Sequence, residues 1–265
     1  MNTSEVAIRA IRAGGELALS YFNNREQLTI DCKGPQDYVS EADRAVEAKI
    51  VEILADAFPN DGFLGEEGAV SRAPREWVID PIDGTTNFVR GLPYFCSTLA
   101  LVEDDVLVAG WIFDPIHNNL YAAARGQGAT LNGQPLRSAW RARFSEGLVG
   151  ICHSSKLTAG ELSGRINAAL EAGAIMRQPG AGALILCDLA QGRLDAVFDQ
   201  HLKPWDALAG LLIAKEAGAV VSDYLASPNW RTEPQPTLAA GPEIYQEMLE
   251  VWPETRDVTL LETDR

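Results

Sequence analysis

In the run EWVIDPIDGTTNFVRG, residues 76–91, Asp80 and Asp83 stand three positions apart directly behind the apolar stretch Trp77-Val78-Ile79. The apolar run reads as a strand. Pro81 fixes φ and removes an amide donor, so the chain is stiff where both carboxylates and the Ile82 carbonyl can converge. Hard divalent cations take oxygen ligands, and Mg²⁺ demands near-octahedral geometry, so a stiff turn offering three oxygens suits such an ion. Gly84-Thr85-Thr86-Asn87 then opens a short helix whose free amides and positive dipole end face the same point, the arrangement that holds a phosphate. Aspartates also serve as ordinary turn and N-cap residues, and the motif alone leaves that account open.

Three further acids bear on the choice. Glu66 and Glu67 lie in DGFLGEEGA beside glycines, where a structural loop needs no two adjacent like charges. Asp206 falls in the first turn of the apolar helix predicted by LKPWDALAGLLIAKEAGA, with Pro204 near its start; the helix dipole alone would favour a carboxylate there. Asp43 follows Ser40 with the S-x-x-D spacing of a capping box. Each acid taken singly has a structural explanation; the set is harder to explain that way.

The elements that must position these residues divide the chain in two. Residues 4–22 and 40–58 carry helical periodicity, the second with Ala42, Val46, Ile50, Ile53, Leu54 and Ala57 on one face. From Trp77 to about Leu136 the pattern is an antiparallel meander: FCSTLALV, a turn at Glu103-Asp104-Asp105, VLVAGWIF, NLYAAA and a tight hairpin at Asn132-Gly133. Strand and helix patterns then alternate: GLVGIC, a helix near 159–172, AIMRQ, a helix from about 182, RLDAVF, a helix from Pro204, AVVSD, TLAA and a last helix from Pro242. This predicts an α+β half, residues 1–140, and an α/β half, residues 141–265, with a largely parallel sheet.

Composition narrows the function. With 265 residues, 46% hydrophobic and only 22% charged, the chain suits a packed globule rather than disorder. No apolar run approaches the roughly 18 residues that span a bilayer, and the N-terminus lacks signal-peptide features, so a cytoplasmic protein without membrane contact is expected. Cys32, Cys96, Cys152 and Cys187 lie far apart with no CxxC, and His117, His153 and His201 form no HxxxH pair, which argues against a zinc site or disulfide frame. Against 22 basic residues stand 37 acidic ones, a formal charge of −15 that disfavours direct binding to nucleic acid and favours a cation as partner.

Taken in order, D-x-V-S-x-x-D (37–43), GEE (65–67), DPIDGTTNF (80–88), RQPGAGA (177–183) and WD followed by AG and EAG (205–218) resemble the inositol monophosphatase family of metal-dependent, lithium-sensitive-type sugar and inositol phosphatases. The TTNF ending is similar to the inositol and sugar phosphatase branch rather than the DGTxEF form of nucleotide 3′-phosphatases. Two departures appear: EAGA at 216–219 where the family has EAGG, and Asp199 where a longer Glu is frequent seven positions before the WD aspartate.

The resemblance implies a layered αβαβα sandwich, a dimer, and a site between the halves. It implies that Glu66, Asp80 and the Ile82 carbonyl hold one Mg²⁺, that Asp80, Asp83 and Asp206 hold a second, and that Glu66 shares a third. The amides of Gly84, Thr85 and Thr86 would hold phosphate, and Thr85 with Asp43 would orient and help deprotonate the attacking water. Ala181, Gly182, Ala183, Asp199 and Asp83, with Asp206 nearby, would face the alcohol part. Four ligand carboxylates and a phosphate dianion total about −6, which calls for two or three cations rather than one. The implied reaction is in-line attack by metal-activated water on a small phosphomonoester, inositol 1-phosphate or a similar polyol phosphate first. Histidinol phosphate, fructose 1,6-bisphosphate and nucleotide 3′-phosphates are alternatives. A different class of role, regulatory partner of the transcription machinery, is also represented among family members.

Overall fold

The computed structural model describes residues 2–27, 30–34, 37–151 and 157–262. Cys152 and His153, and the side chains of Cys32 and Ser40, lie outside the described residues.

The chain opens with helix α1 (Thr3–Asn23), a hairpin of β1 (Ile30–Gly34) and β2 (Asp37–Ser40), and helix α2 (Glu41–Ala57). There follow β3 (Gly62–Gly65), β4 (Val70–Ser71), β5 (Arg75–Asp83) and the short helix α3 (Thr85–Arg90). The meander is β6 (Cys96–Glu103), β7 (Val106–Asp114), β8 (Asn119–Ala124), β9 (Ala129–Leu131) and β10 (Gln134–Pro135). The second half contains β11 (Leu148–Ile151), α4 (Ala159–Glu171), β12 (Ile175–Arg177), α5 (Gly182–Ala190) and β13 (Ala196–Leu202). It finishes with α6 (Pro204–Glu216), β14 (Val220–Val221), β15 (Gln235–Ala240) and α7 (Ile244–Val251).

Among the described residues the first half forms an eight-stranded sheet ordered β10-β9-β8-β7-β6-β5-β3-β4. Alternation along β5 sends Trp77 and Ile79 to one face, where they pack with α1 and α2 through Ile11, Val46 and Ile50, and sends Val78 to the other, against α5 and α6. Helix α6 is buried on all sides, from Ala207 through Ala214, because it lies between both sheets. The second sheet, ordered β12-β11-β13-β15-β14, carries α4 and α7 on its far face through Phe198, Leu238, Ile244, Met248 and Trp252. The layers therefore run helix, sheet, helix, sheet, helix, as expected. No helix among the described residues is long and apolar enough to cross a membrane.

The hairpins fall where their turn residues place them: Asp104 and Asp105 take φ 49° and 59°, and Asn132 and Gly133 φ 51° and 77°. Three readings need correction. The second sheet is mixed, not largely parallel: β11 is parallel to β12 and β13, but β15 is antiparallel to both β13 and β14. The reason lies in Ser222–Gln235, which holds a single short 3₁₀ turn at Tyr224–Ala226 and no crossover helix, so the chain returns antiparallel between β13 and β14. The strand expected at RLDAVF begins only at Ala196 and continues through Leu202. Finally, Phe63-Leu64 is part of β3, which pairs parallel with β5 and was not legible as a strand in so short a run.

Candidate active site at the junction of the two halves

Strand β5 delivers Asp80 and Asp83 to the junction of the halves. Pro81 interrupts the ladder with β6, and the register shifts between Asp80 and Asp83. The turn is tied internally: Asp80 Oδ1 accepts the Ile82 amide at 2.8 Å, and the Thr85 hydroxyl donates to the Ile82 carbonyl at 3.0 Å. Gly84 precedes α3 with φ 91°, a left-handed conformation that disfavours a side chain; a Cβ there would also stand 3.0 Å from Ala181 Cβ. The loop carrying Ala181 thus rests directly on the start of α3. Asn87 fastens the two, donating to the Tyr94 carbonyl at 2.8 Å and the Pro179 carbonyl at 2.9 Å.

Carboxylate oxygens of Asp80, Asp83 and Asp206 all lie within 4.8 Å of one another. Glu66, Asp206 and Asp83 all lie near enough for their charges to raise the Asp80 pKa, so its carboxyl stands at the centre of the set. Burial is the largest cause of the raised pKa of each of these acids, with neighbouring like charges next for three of them. Asp83 is pushed up to about 6, with the Ala183 and Gly182 amides restraining the rise. Asp206 is pushed up to about 7 by burial and then by Asp83. Asp80 and Glu66 both lie well above the ordinary carboxylate range, through burial and then Glu66 acting on Asp80 and Asp206 acting on Glu66. Among the described residues no Lys or Arg side chain forms an ion pair with Asp80, Asp83 or Asp206. Hard oxygen donors crowded together with no ion-paired base among the described residues fit one or more divalent cations, which would relieve the repulsion that protonation otherwise relieves.

The other expected residues fall around this centre. Glu66 is held beside the end of β5 by a hydrogen bond from its backbone amide to the Ile79 carbonyl, 3.2 Å. Asp43, 1% exposed in the first turn of α2, lies near enough to raise the Glu66 pKa. Asp206 occupies the first turn of α6 and accepts the Lys203 amide at 3.2 Å, so it caps the helix as well as joining the cluster. The Gly182 and Ala183 amides, 3.0 and 2.7 Å from the Asp83 carboxylate, are engaged by that side chain. Asp199 is 1% exposed, accepts the His201 amide at 2.6 Å, and adds to the field that raises Asp206. Thr86 is half-buried beside Thr85 in α3.

Sequence reasoning assigned no part to two residues that hold the site in place. Glu47, 5% exposed, accepts the amides of Glu67 at 2.8 Å and Ala69 at 2.9 Å and so shapes the loop that presents Glu66. A Cβ on Gly65 would meet Glu47 Oε2 at 2.2 Å, which explains the glycine. A signal was available, since Glu47 follows Asp43 by one helical turn and interrupts the apolar face at 42, 46, 50 and 54. Thr98 bonds to the Asp80 amide and the Trp205 carbonyl; nothing in the strand pattern of FCSTLALV distinguishes it.

The fold is a layered αβαβα sandwich whose junction gathers an acidic cluster able to hold a metal ion. The inositol monophosphatase family model matches residues 2–255, and the chain belongs to that family. It is 36% identical over 244 residues to the Nus factor SuhB of Xylella fastidiosa, covering 91% of this chain and 87% of the relative. Among solved structures it is similar to the extragenic suppressor protein suhB from Bartonella henselae, with TM-score 0.87 and 30% identity over 94% of this chain and 97% of that one. It is also similar to the IMPase of Thermotoga maritima, with TM-score 0.85 and 29% identity over 97% and 99% of the two chains.

Proposed function

We propose that the protein is a Mg²⁺-dependent phosphomonoesterase acting on inositol 1-phosphate or a similar small polyol phosphate. The observation that carries this reading is the convergence of Asp80, Asp83 and Asp206 oxygens within 4.8 Å, the first two buried and the third partly so. Glu66, Asp80, Asp83, Asp206 and the Ile82 carbonyl would hold the ions. When bound, Mg²⁺ supplies Lewis-acid stabilisation of charge on phosphoryl oxygens and makes water a stronger nucleophile at neutral pH. The protein's own groups do the rest. The amides at Gly84, Thr85 and Thr86 seat the phosphate at the start of α3. The Thr85 hydroxyl, fixed on the Ile82 carbonyl in this structure, orients the attacking water together with Asp43. Asp199 and the Ala181–Ala183 loop bound the space for the alcohol, with Asp199 restricted by its bond to His201.

Phosphate release from a panel of phosphomonoesters, assayed with Mg²⁺ and with chelator, tests the reading. Turnover of inositol 1-phosphate that disappears on chelation is expected. A preference for histidinol phosphate, fructose 1,6-bisphosphate or a nucleotide 3′-phosphate would replace the substrate and keep the chemistry, whereas metal-independent or absent hydrolysis would reject both. The Xylella relative is a Nus factor, which favours a second role for this chain as a partner of transcription proteins. Retention of one defined partner by both wild type and an inactive Asp80→Asn protein in a pull-down would support that role independently of catalysis. A homodimer and a cytoplasmic location complete the proposal, to be checked by light scattering and by cell fractionation.

A further inference from the structure

We propose that Thr98 is a positioning residue that sets the separation of Asp80 and Asp206 across the junction of the two halves, and thereby the affinity for divalent cation. The inference rests on the metal-site reading above. Asp80 belongs to β5 and Asp206 to α6, so no covalent feature of the chain fixes their spacing. Thr98 lies on β6 directly opposite Asp80 in the antiparallel register and is 1% exposed. Its hydroxyl accepts the Asp80 amide at 3.3 Å and donates to the carbonyl of Trp205, the residue before Asp206, at 2.6 Å. A hydroxyl can be donor and acceptor at once, which the isosteric valine cannot.

The remaining contacts around α6 are poorly suited to this task. The helix packs closely through Ala207, Leu208 and Ala209, which fixes its overall seat, but apolar packing is non-directional and does not by itself aim the backbone before Asp206 at Asp80. Other bonds between the halves lie away from the start of α6: the Gly182 and Ala183 amides donate to Asp83 and Asn87 donates to the Pro179 carbonyl, which pins α5 and its preceding loop, while Glu216 accepts the Gly126 and Gly128 amides at the opposite end of α6 from Asp206. Mg²⁺ tolerates little error in ligand position, so a hydrogen bond that locks both ligand-bearing backbones is expressed as metal affinity.

The test is a Mg²⁺ titration by calorimetry on the chelator-stripped full-length protein without substrate, comparing wild type with Thr98→Val, Thr98→Ser and Thr98→Ala, alongside metal-free melting curves. Thr98→Val should weaken Mg²⁺ binding by about tenfold or more, in the range for residues that orient metal ligands. Its Mg²⁺ activation curve should move to higher concentration, with kcat recovering toward wild type at saturating metal. Thr98→Ser and Thr98→Ala lose the same methyl group, so a difference between them isolates the hydroxyl: Ser should bind Mg²⁺ nearly as wild type and Ala as weakly as Val. This pair decides the matter even if Thr98→Val does not fold. Equal affinities for Ser and Ala, or a Val variant that binds as wild type does, overturn the assignment and leave the metal site standing. A wild-type protein that takes up no Mg²⁺ overturns both.

Discussion

Asp195 and Asp80 are both buried aspartates next to strand residues, 5% and 2% exposed, and they do opposite things. Asp195, just ahead of β13, accepts the Arg141 amide at 2.6 Å on one oxygen and the Leu148 amide at 2.8 Å on the other. Its charge is satisfied by the backbone, and it splices the polar stretch after the first half onto the second sheet. Asp80 has the Ile82 amide on one oxygen and otherwise faces Glu66, Asp83 and Asp206. Asp195 gathers only backbone donors, whereas Asp80, a proposed metal ligand, lies among other acids whose repulsion destabilises the metal-free fold. Residue type and burial do not separate these two aspartates; the acids around Asp80 do.

The largest expected contrast comes from neutralising each residue. Asp80→Asn should reduce hydrolysis by about 10³-fold or more and sharply weaken Mg²⁺ binding, while raising the metal-free Tm by removing the central charge of the cluster. Turnover and melting measured together check this; activity within a few-fold of wild type at ordinary Mg²⁺ would break the comparison. Thr85→Ala tests whether the same turn acts on water rather than only on metal: kcat should fall by about 10²–10⁴-fold with a much smaller change in KM. Loss confined to KM would move Thr85 from water orientation to phosphate binding.

Asp195→Asn should show the reverse pattern to Asp80→Asn. Its amide group would set a donor against one of two backbone donors, costing about 2 kcal/mol of stability and several degrees of Tm, with kcat of the folded protein retained. A comparable loss of kcat would mean that Asp195 belongs to the working site.

A last expected effect, read without any substitution, is a pH dependence of the metal-free protein. Asp83 and Asp206 are raised from 3.8 to about 6 and about 7. Their folded forms therefore hold protons that the unfolded chain has already released. The stability these two groups contribute is full below about pH 4, declines as pH rises to about 7, and is then lost, because the unfolded state binds fewer of their protons throughout that window. Melting temperatures across that range, without metal, should fall; saturating Mg²⁺ should remove or reverse the trend, and Asp80→Asn should flatten it. A metal-free Tm that rises from pH 4 to 7 would show that the cluster is not the strained element.

The sequence by itself determined which acids could form the candidate site, and much of its scaffold. Asp80, Pro81, Asp83 and Gly84 act through local stereochemistry, so their turn could be read from adjacent residues. The same holds for the hairpins at Asp104-Asp105 and Asn132-Gly133 and for the apolar faces of α1 and α2, since φ preferences and helical period are local properties. Tertiary structure alone decided the rest. The antiparallel return of β15 depended on which partner strand the chain met, and β3 gains its identity only from pairing with β5. Whether Asp206 merely capped α6 or also met Asp80 and Asp83 depended on how α6 seated between the sheets. Glu47 and Thr98 act through bonds to residues 20 and 107 positions away. Hydrogen bonds and carboxylate repulsion act over a few ångströms of space, and only the packed chain fixes which distant residues lie within that reach.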